Sequence, residues 1–150
     1  MSSWRDIASE QAQEDLDGLV GAAINFAQQQ LAAHGEFFPF AVAVTATGTI
    51  EMIETRPDTN DERPLSTDVL KACVDSLRSK RGGIRACATA SDVRLREPQR
   101  GDAVQVDLEH LDGHALTVIL PYVKKRRRDV NYGPIQAHAG PHRVWAAPDR

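Results

Sequence analysis

The chain has 150 residues, 41% of them hydrophobic and 26% charged, with a formal net charge of −3. That is the composition of one soluble globular domain with enough chain to bury a core. No apolar run approaches the ~20 residues of a membrane-spanning helix, and the polar, acidic start MSSWRDIASEQAQEDLDG lacks the basic end and apolar core of a signal peptide.

The charge is unevenly spread. Residues 1–62 hold 11 acids and 2 bases, a balance of −9, whereas residues 63–150 hold 16 bases and 10 acids, a balance of +6. Opposed charge within one chain favours contact between two faces or two copies. A nucleic-acid domain is usually basic overall, which this chain is not. Arg outnumbers Lys 14 to 4 and Ala is abundant, an association with GC-rich bacterial coding sequences. Two cysteines, Cys73 and Cys87, sit among small apolar residues. They read as buried free thiols of a cytoplasmic protein.

At the N-terminus, Ser3 followed by Asp6 resembles a capping box and opens a short helix over 4–13, within a stretch 1–15 expected to be mobile. From Leu16 the apolar residues Leu16, Leu19, Val20, Ala23, Ile24, Ala27 and Leu31 recur at three- and four-residue steps, which predicts a helix over 16–34 stopped by Gly35. In the strand that follows, Phe40, Val42 and Val44 share one face and Ala41 and Ala43 the other. Two apolar faces mark a central strand, and the small residues suggest a helix lying close on the Ala side. A hairpin loop over 46–48 leads to a return strand over 49–55.

After a polar, Pro-bounded loop over 56–64, Ser66 is placed to cap a second helix. Its stripe is Val69, Leu70, Cys73, Val74 and Leu77, and Gly82 and Gly83 end it. Three strands come next, over 84–95, 103–110 and 114–123. A three-residue loop, Leu111-Asp112-Gly113, pairs His110 with His114 and puts Val104, Val106, Leu108, Leu116, Val118 and Leu120 on one apolar face. A two-residue turn would throw half of them to the other side. The Gly/Pro-rich tail 131–150 is anchored by Val144 and Trp145.

The element order is helix, strand, strand, helix, strand, strand, strand. It predicts an α+β domain spanning 1–150, a two-layer sandwich with helices on one face of a five-stranded antiparallel sheet. That order is similar to roadblock or profilin-like folds, a resemblance that implies the strand order 2-1-5-4-3. Secretion-chaperone-like domains have a related order.

No GxSxG, HExxH, P-loop or GxGxxG stretch is present, so no cofactor is called for and the chain reads as non-catalytic. His110 and His114 are the weak metal candidates, but a zinc site takes three or four protein ligands, and a solvated or hydrogen-bonded hairpin end explains the pair. Cys87, mid-strand, reads as structural rather than nucleophilic. Asp107 and Glu109 read as a solvated strand face. GEFFPF contributes Phe37, Phe38 and Phe40, a core wedge or the rim of a hydrophobic interface. In PYVKKRRRDVNYG, the cations Lys124, Lys125, Arg126, Arg127 and Arg128 stand between Tyr122 and Tyr132. They suit a solvated loop, an acidic protein surface, or a polyanion with the tyrosines stacking on bases. The functional expectation is a module that binds a protein partner or itself. A polyanion or nucleic-acid binder, and a small-ligand site or enzyme pocket near Phe37, Phe38, Phe40, His110 and His114, are the alternatives. No membrane partner is expected.

Overall fold

A computed structural model describes residues 9–53, 55, 65–96, 100–126 and 129–145. Among these the chain forms α1 (Glu10–His34), β1 (Phe40–Thr45), β2 (Ile50–Ile53), α2 (Ser66–Lys80), β3 (Ile84–Leu95), β4 (Gly101–His110), β5 (Ala115–Arg126), β6 (Asp129–Tyr132) and β7 (Gln136–Ala139). The expected loop over 56–64 and the Ser3 cap lie outside the described residues, as does most of the short helix over 4–13.

α1 is longer than its apolar stripe. Ser9 caps it, its hydroxyl oxygen accepting from the Ala12 N–H at 3.1 Å, which satisfies a donor that helix geometry leaves free. Residues 10–15, expected to be mobile, form its first turns, with Ala12 and Asp15 buried. Gly35 ends the helix at a φ of 75°, as glycine does most cheaply. α2 starts without a side-chain cap: Leu65 holds that position and Ser66 is already helical.

All strand pairs are antiparallel, in the order β2-β1-β3-β4-β5-β6, with β7 also on β5. The sheet has seven strands rather than five. It also departs from the roadblock or profilin-like order, because β1 lies beside β3 and not beside the last strand of the meander. β3 suits the centre because Ala86, Ala88 and Ala90 are buried on one face and Cys87 and Thr89 on the other. The tail supplies the two extra strands, which follow one another along β5: β6 pairs with 122–126 and β7 with 116–119. Between them the Pro121 carbonyl accepts from the Gly133 N–H. The missing N–H of Pro121 faces that same break, where no ladder bond is lost. Gly140 then passes against β5 so closely that a Cβ there would lie 2.5 Å from the Leu116 carbonyl carbon.

The helices do not share a face. Leu16, Leu19, Ala23, Ala27 and Leu31 of α1 pack on Phe40, Val42, Val44, Val104, Val106 and Leu108. Val69, Cys73 and Leu77 of α2 pack on the opposite side, on Ala41, Ala43 and Cys87, together with Val144. The domain is therefore three-layered, helix on sheet on helix, and the alanines of β1 lie under α2. The β4–β5 register is the one that unites six apolar residues: Glu109 faces Ala115, Leu108 faces Leu116, and the His110 N–H donates to the His114 carbonyl.

Candidate interaction site

Two segments far apart in sequence meet at the C-terminal end of α1. Lys124, near the end of β5, extends its ammonium to the Gly35 carbonyl at 2.8 Å. That bond satisfies an orphan carbonyl at the negative end of the helix dipole. A cleft of about 570 Å³ is lined there by Ala33, His34, Gly35, Lys124, Lys125 and Arg126. A second cleft of about 450 Å³ is lined by Gln30, His34, Glu36, Phe37, Phe38, Ser66 and Asp92. His34 belongs to both, so the two clefts adjoin.

The aromatic residues divide by depth. Phe40 is buried, edge-on to Phe26 at 4.7 Å between centroids, and Phe37 is half-buried at 5.7 Å from Phe40. Phe38 is 44% exposed and forms the apolar rim. Phe40 thus fits the core-wedge reading of GEFFPF, whereas Phe38 stands in solvent.

Tyr122 is buried in the α1-side core, where its hydroxyl donates to Asp92 Oδ1 at 2.5 Å. Burial, and then that bond to a carboxylate, push its phenol well above the ordinary range. Tyr132 is its cross-strand partner, half-buried with centroids 6.3 Å apart, and burial raises its phenol as well. Tyr122 does not present a face on which a base could stack. Lys124, Lys125 and Arg126 are exposed, whereas Arg127 and Arg128 lie outside the described residues.

Comparison of the chain with protein-family models, with curated proteins and with solved structures finds no match.

His110 stands at a hydrogen-bonded hairpin end, as expected, but a buried one rather than a solvated one. It is buried, with Nε2 2.9 Å from Asp15 Oδ2 and Nδ1 3.0 Å from Asp112 Oδ1. Asp15 also accepts two bonds from Arg85, from Nε at 2.9 Å and Nη2 at 3.0 Å. This fork of parallel bonds is the strong form of a carboxylate pair. His114 Nε2 lies 3.7 Å from Asp112 Oδ2. Both ring nitrogens of His110 face carboxylates, and among the described residues no three His, Cys, Asp or Glu are arranged to hold a metal. Asp15 and Arg85 escaped the sequence reading. The available signal was spacing, since Asp15 falls on the stripe of Ala12, Leu16 and Leu19.

Asp107 and Glu109 are not a solvated face either. Glu109 is buried and accepts the backbone N–H groups of Arg143 at 2.7 Å, Val144 at 3.0 Å and Trp145 at 3.1 Å. The Arg143 guanidinium donates to Asp107 at 3.0 Å, and the Thr117 hydroxyl donates to the same carboxylate. From α2, Arg78 donates to the Arg143 carbonyl and Arg81 to the Val144 carbonyl. Charged side chains thus satisfy the backbone of 143–145 from both sides, and Val144 is the buried anchor expected of the tail.

Cys73 and Cys87 are buried free thiols. Burial raises both, helped at Cys87 by the charge of Glu109 and opposed at Cys73 by the Thr55 hydroxyl. A thiol held in its neutral form is a poor nucleophile.

Proposed function

We propose that this chain is a non-catalytic interaction module. It binds a protein partner presenting acidic and apolar side chains together, at the end of the domain where His34 joins the Phe37–Phe38 rim to Lys124, Lys125 and Arg126. The convergence of two segments into adjoining clefts carries this reading. An exposed phenylalanine near exposed cations suits a partner surface with an apolar anchor and a charged edge.

A second copy is one such partner. Glu10 and Glu14 are exposed at the start of α1, and the basic run lies at its end. A helix of 25 residues separates the two by about 37 Å, a layout suited to head-to-tail contact. The polyanion reading is weaker because Tyr122 is buried and the overall balance is −3. A small-ligand pocket is the remaining alternative, in the 450 Å³ cleft. The free thiols support a cytoplasmic setting. Among the described residues no helix is long and apolar enough to cross a membrane.

The test is a fluorescence-anisotropy titration with a labelled acidic peptide bearing one Phe, alongside sedimentation velocity at low and high salt. Binding or self-association lost in Lys124→Gln/Lys125→Gln/Arg126→Gln supports the reading. A monomer that binds no such peptide refutes it.

A further inference from the structure

A second group of cations stands at the same end of the sheet. Arg94, Arg96 and Arg100 flank the connection between β3 and β4 and are exposed. Arg94, Arg96 and Arg100 line a cleft of about 560 Å³ with Leu95 and Gly101. The ladder register sets their position. Arg94 faces Asp102 across β3–β4, and Asp102 faces Tyr122 across β4–β5. The ends of β3 and β5 therefore lie level, with β4 between them. Arg100 holds a left-handed φ of 50°.

We propose that Arg94, Arg96 and Arg100 are the second half of the interaction site, and that with Lys124, Lys125 and Arg126 they hold an extended acidic peptide crossing the end of the sheet. The proposal rests on the reading of the Phe37–Phe38 surface as a protein-binding site, and adds to it the partner's form and three residues.

The geometry sets the peptide's dimensions. The centres of the two tips are two strand spacings apart, about 10 Å. An extended chain covers that distance in about three residues, so carboxylates about three positions apart reach both groups.

Charge arrangement favours a peptide over nucleic acid. Glu36, Asp92, Asp102 and Asp129 are interspersed with the cations. Asp102 lies 3.9 Å from Arg94, and Asp92 feels the charges of Asp102, Lys124 and Glu36. Among the described residues these are six cations against four carboxylates, a balance of +2. A continuous phosphate track would meet each of those carboxylates, whereas a peptide places its own charges only opposite the cations. Apolar contact is available on Phe38, and the buried ring of Tyr122 gives a base nothing to stack on.

The experiment compares three charge variants in the anisotropy titration. They are Arg94→Gln/Arg96→Gln/Arg100→Gln, Lys124→Gln/Lys125→Gln/Arg126→Gln, and a control away from the site, Lys71→Gln/Lys80→Gln. The probe is a labelled peptide with acidic residues spaced three apart around one Phe. Its Gln-for-Glu counterpart and a labelled single-stranded DNA serve as comparators. Both site variants should weaken peptide binding about tenfold or more, with the control close to wild type. The single variant Arg96→Glu, at an exposed position, repeats the test should the triple variant fold poorly. Loss confined to the 124–126 variant overturns the proposal and leaves the protein-binding reading standing. No peptide binding by the wild type removes both. Tighter binding of the DNA than of the peptide also overturns the proposal, because the partner would then be a nucleic acid.

Discussion

Replacing Asp15 by Asn removes a buried charge that joins α1 to the start of β3 and the end of β4. Asp15 is 6% exposed and accepts two bonds from Arg85 and one from His110. Breaking a buried ion pair on one side costs about 3–5 kcal/mol, because the surviving charge stays desolvated. Arg85 keeps 23% of its side-chain surface in water, so the lower end applies, about 3 kcal/mol. In a domain of this size that corresponds to a fall in Tm of about 6–12 °C. Urea denaturation should show a lower midpoint with an unchanged slope, which locates the effect in stability rather than in the unfolded chain. A cycle with Asp15→Ala and Arg85→Met should give a coupling energy above about 1 kcal/mol. An Asp15→Asn variant within about 0.5 kcal/mol of wild type would show that the network contributes no net stability.

The clamp on the tail predicts that Glu109→Gln accelerates amide exchange at Val144 and Trp145 by about tenfold or more; unchanged protection would mean the tail is held without Glu109, by Val144 packing and the Arg78, Arg81 and Asp107 contacts. Burial raises the Asp92 carboxyl above its ordinary 3.8, the Tyr122 hydroxyl bond opposing the rise. Its folded form therefore keeps the proton to higher pH than the unfolded chain, and that contribution is present below 3.8 and lost as pH rises through the folded value. Wild type should lose stability relative to Asp92→Asn as pH climbs from 3.8 towards neutrality; a difference independent of pH would contradict this. Both thiols, buried and shifted upward, should react with a disulfide reagent only as fast as the protein unfolds, and rapid labelling of the native state would show an open route to one of them.

Much of the fold was legible because local periodicity carries it. The stripe from Leu16 to Leu31 needed one helix and Gly35 its end. The hairpin register followed from requiring Leu116, Val118 and Leu120 to join Val104, Val106 and Leu108. The alanines of β1 pointed to a close helix on their own side, yet two-sided burial did not say which helix lay where, and both were assigned to one face. β6 and β7 left little trace because their residues are mostly exposed and separated by Gly133 and Pro134. Edge strands need no apolar alternation. Glu109 was misread for a related reason: a charged residue at every second position signals a less apolar face, not what covers it. The site was legible only in pieces. Lys124 reaches Gly35, and Arg94 comes level with Tyr122, only through strand order, a nonlocal property.

Binding of an acidic, apolar-bearing protein segment at the end of the domain that bears Phe38, Lys124, Lys125 and Arg126 is what we propose. Its most direct test is the anisotropy titration of the labelled acidic Phe peptide at about 50 and 200 mM salt, for wild type and for Lys124→Gln/Lys125→Gln/Arg126→Gln and Phe38→Ala. Saturable binding that weakens with salt, falls in the charge variant and falls again with Phe38→Ala is the predicted result. Binding that is absent at low salt, or that is indifferent to both variants, would contradict it.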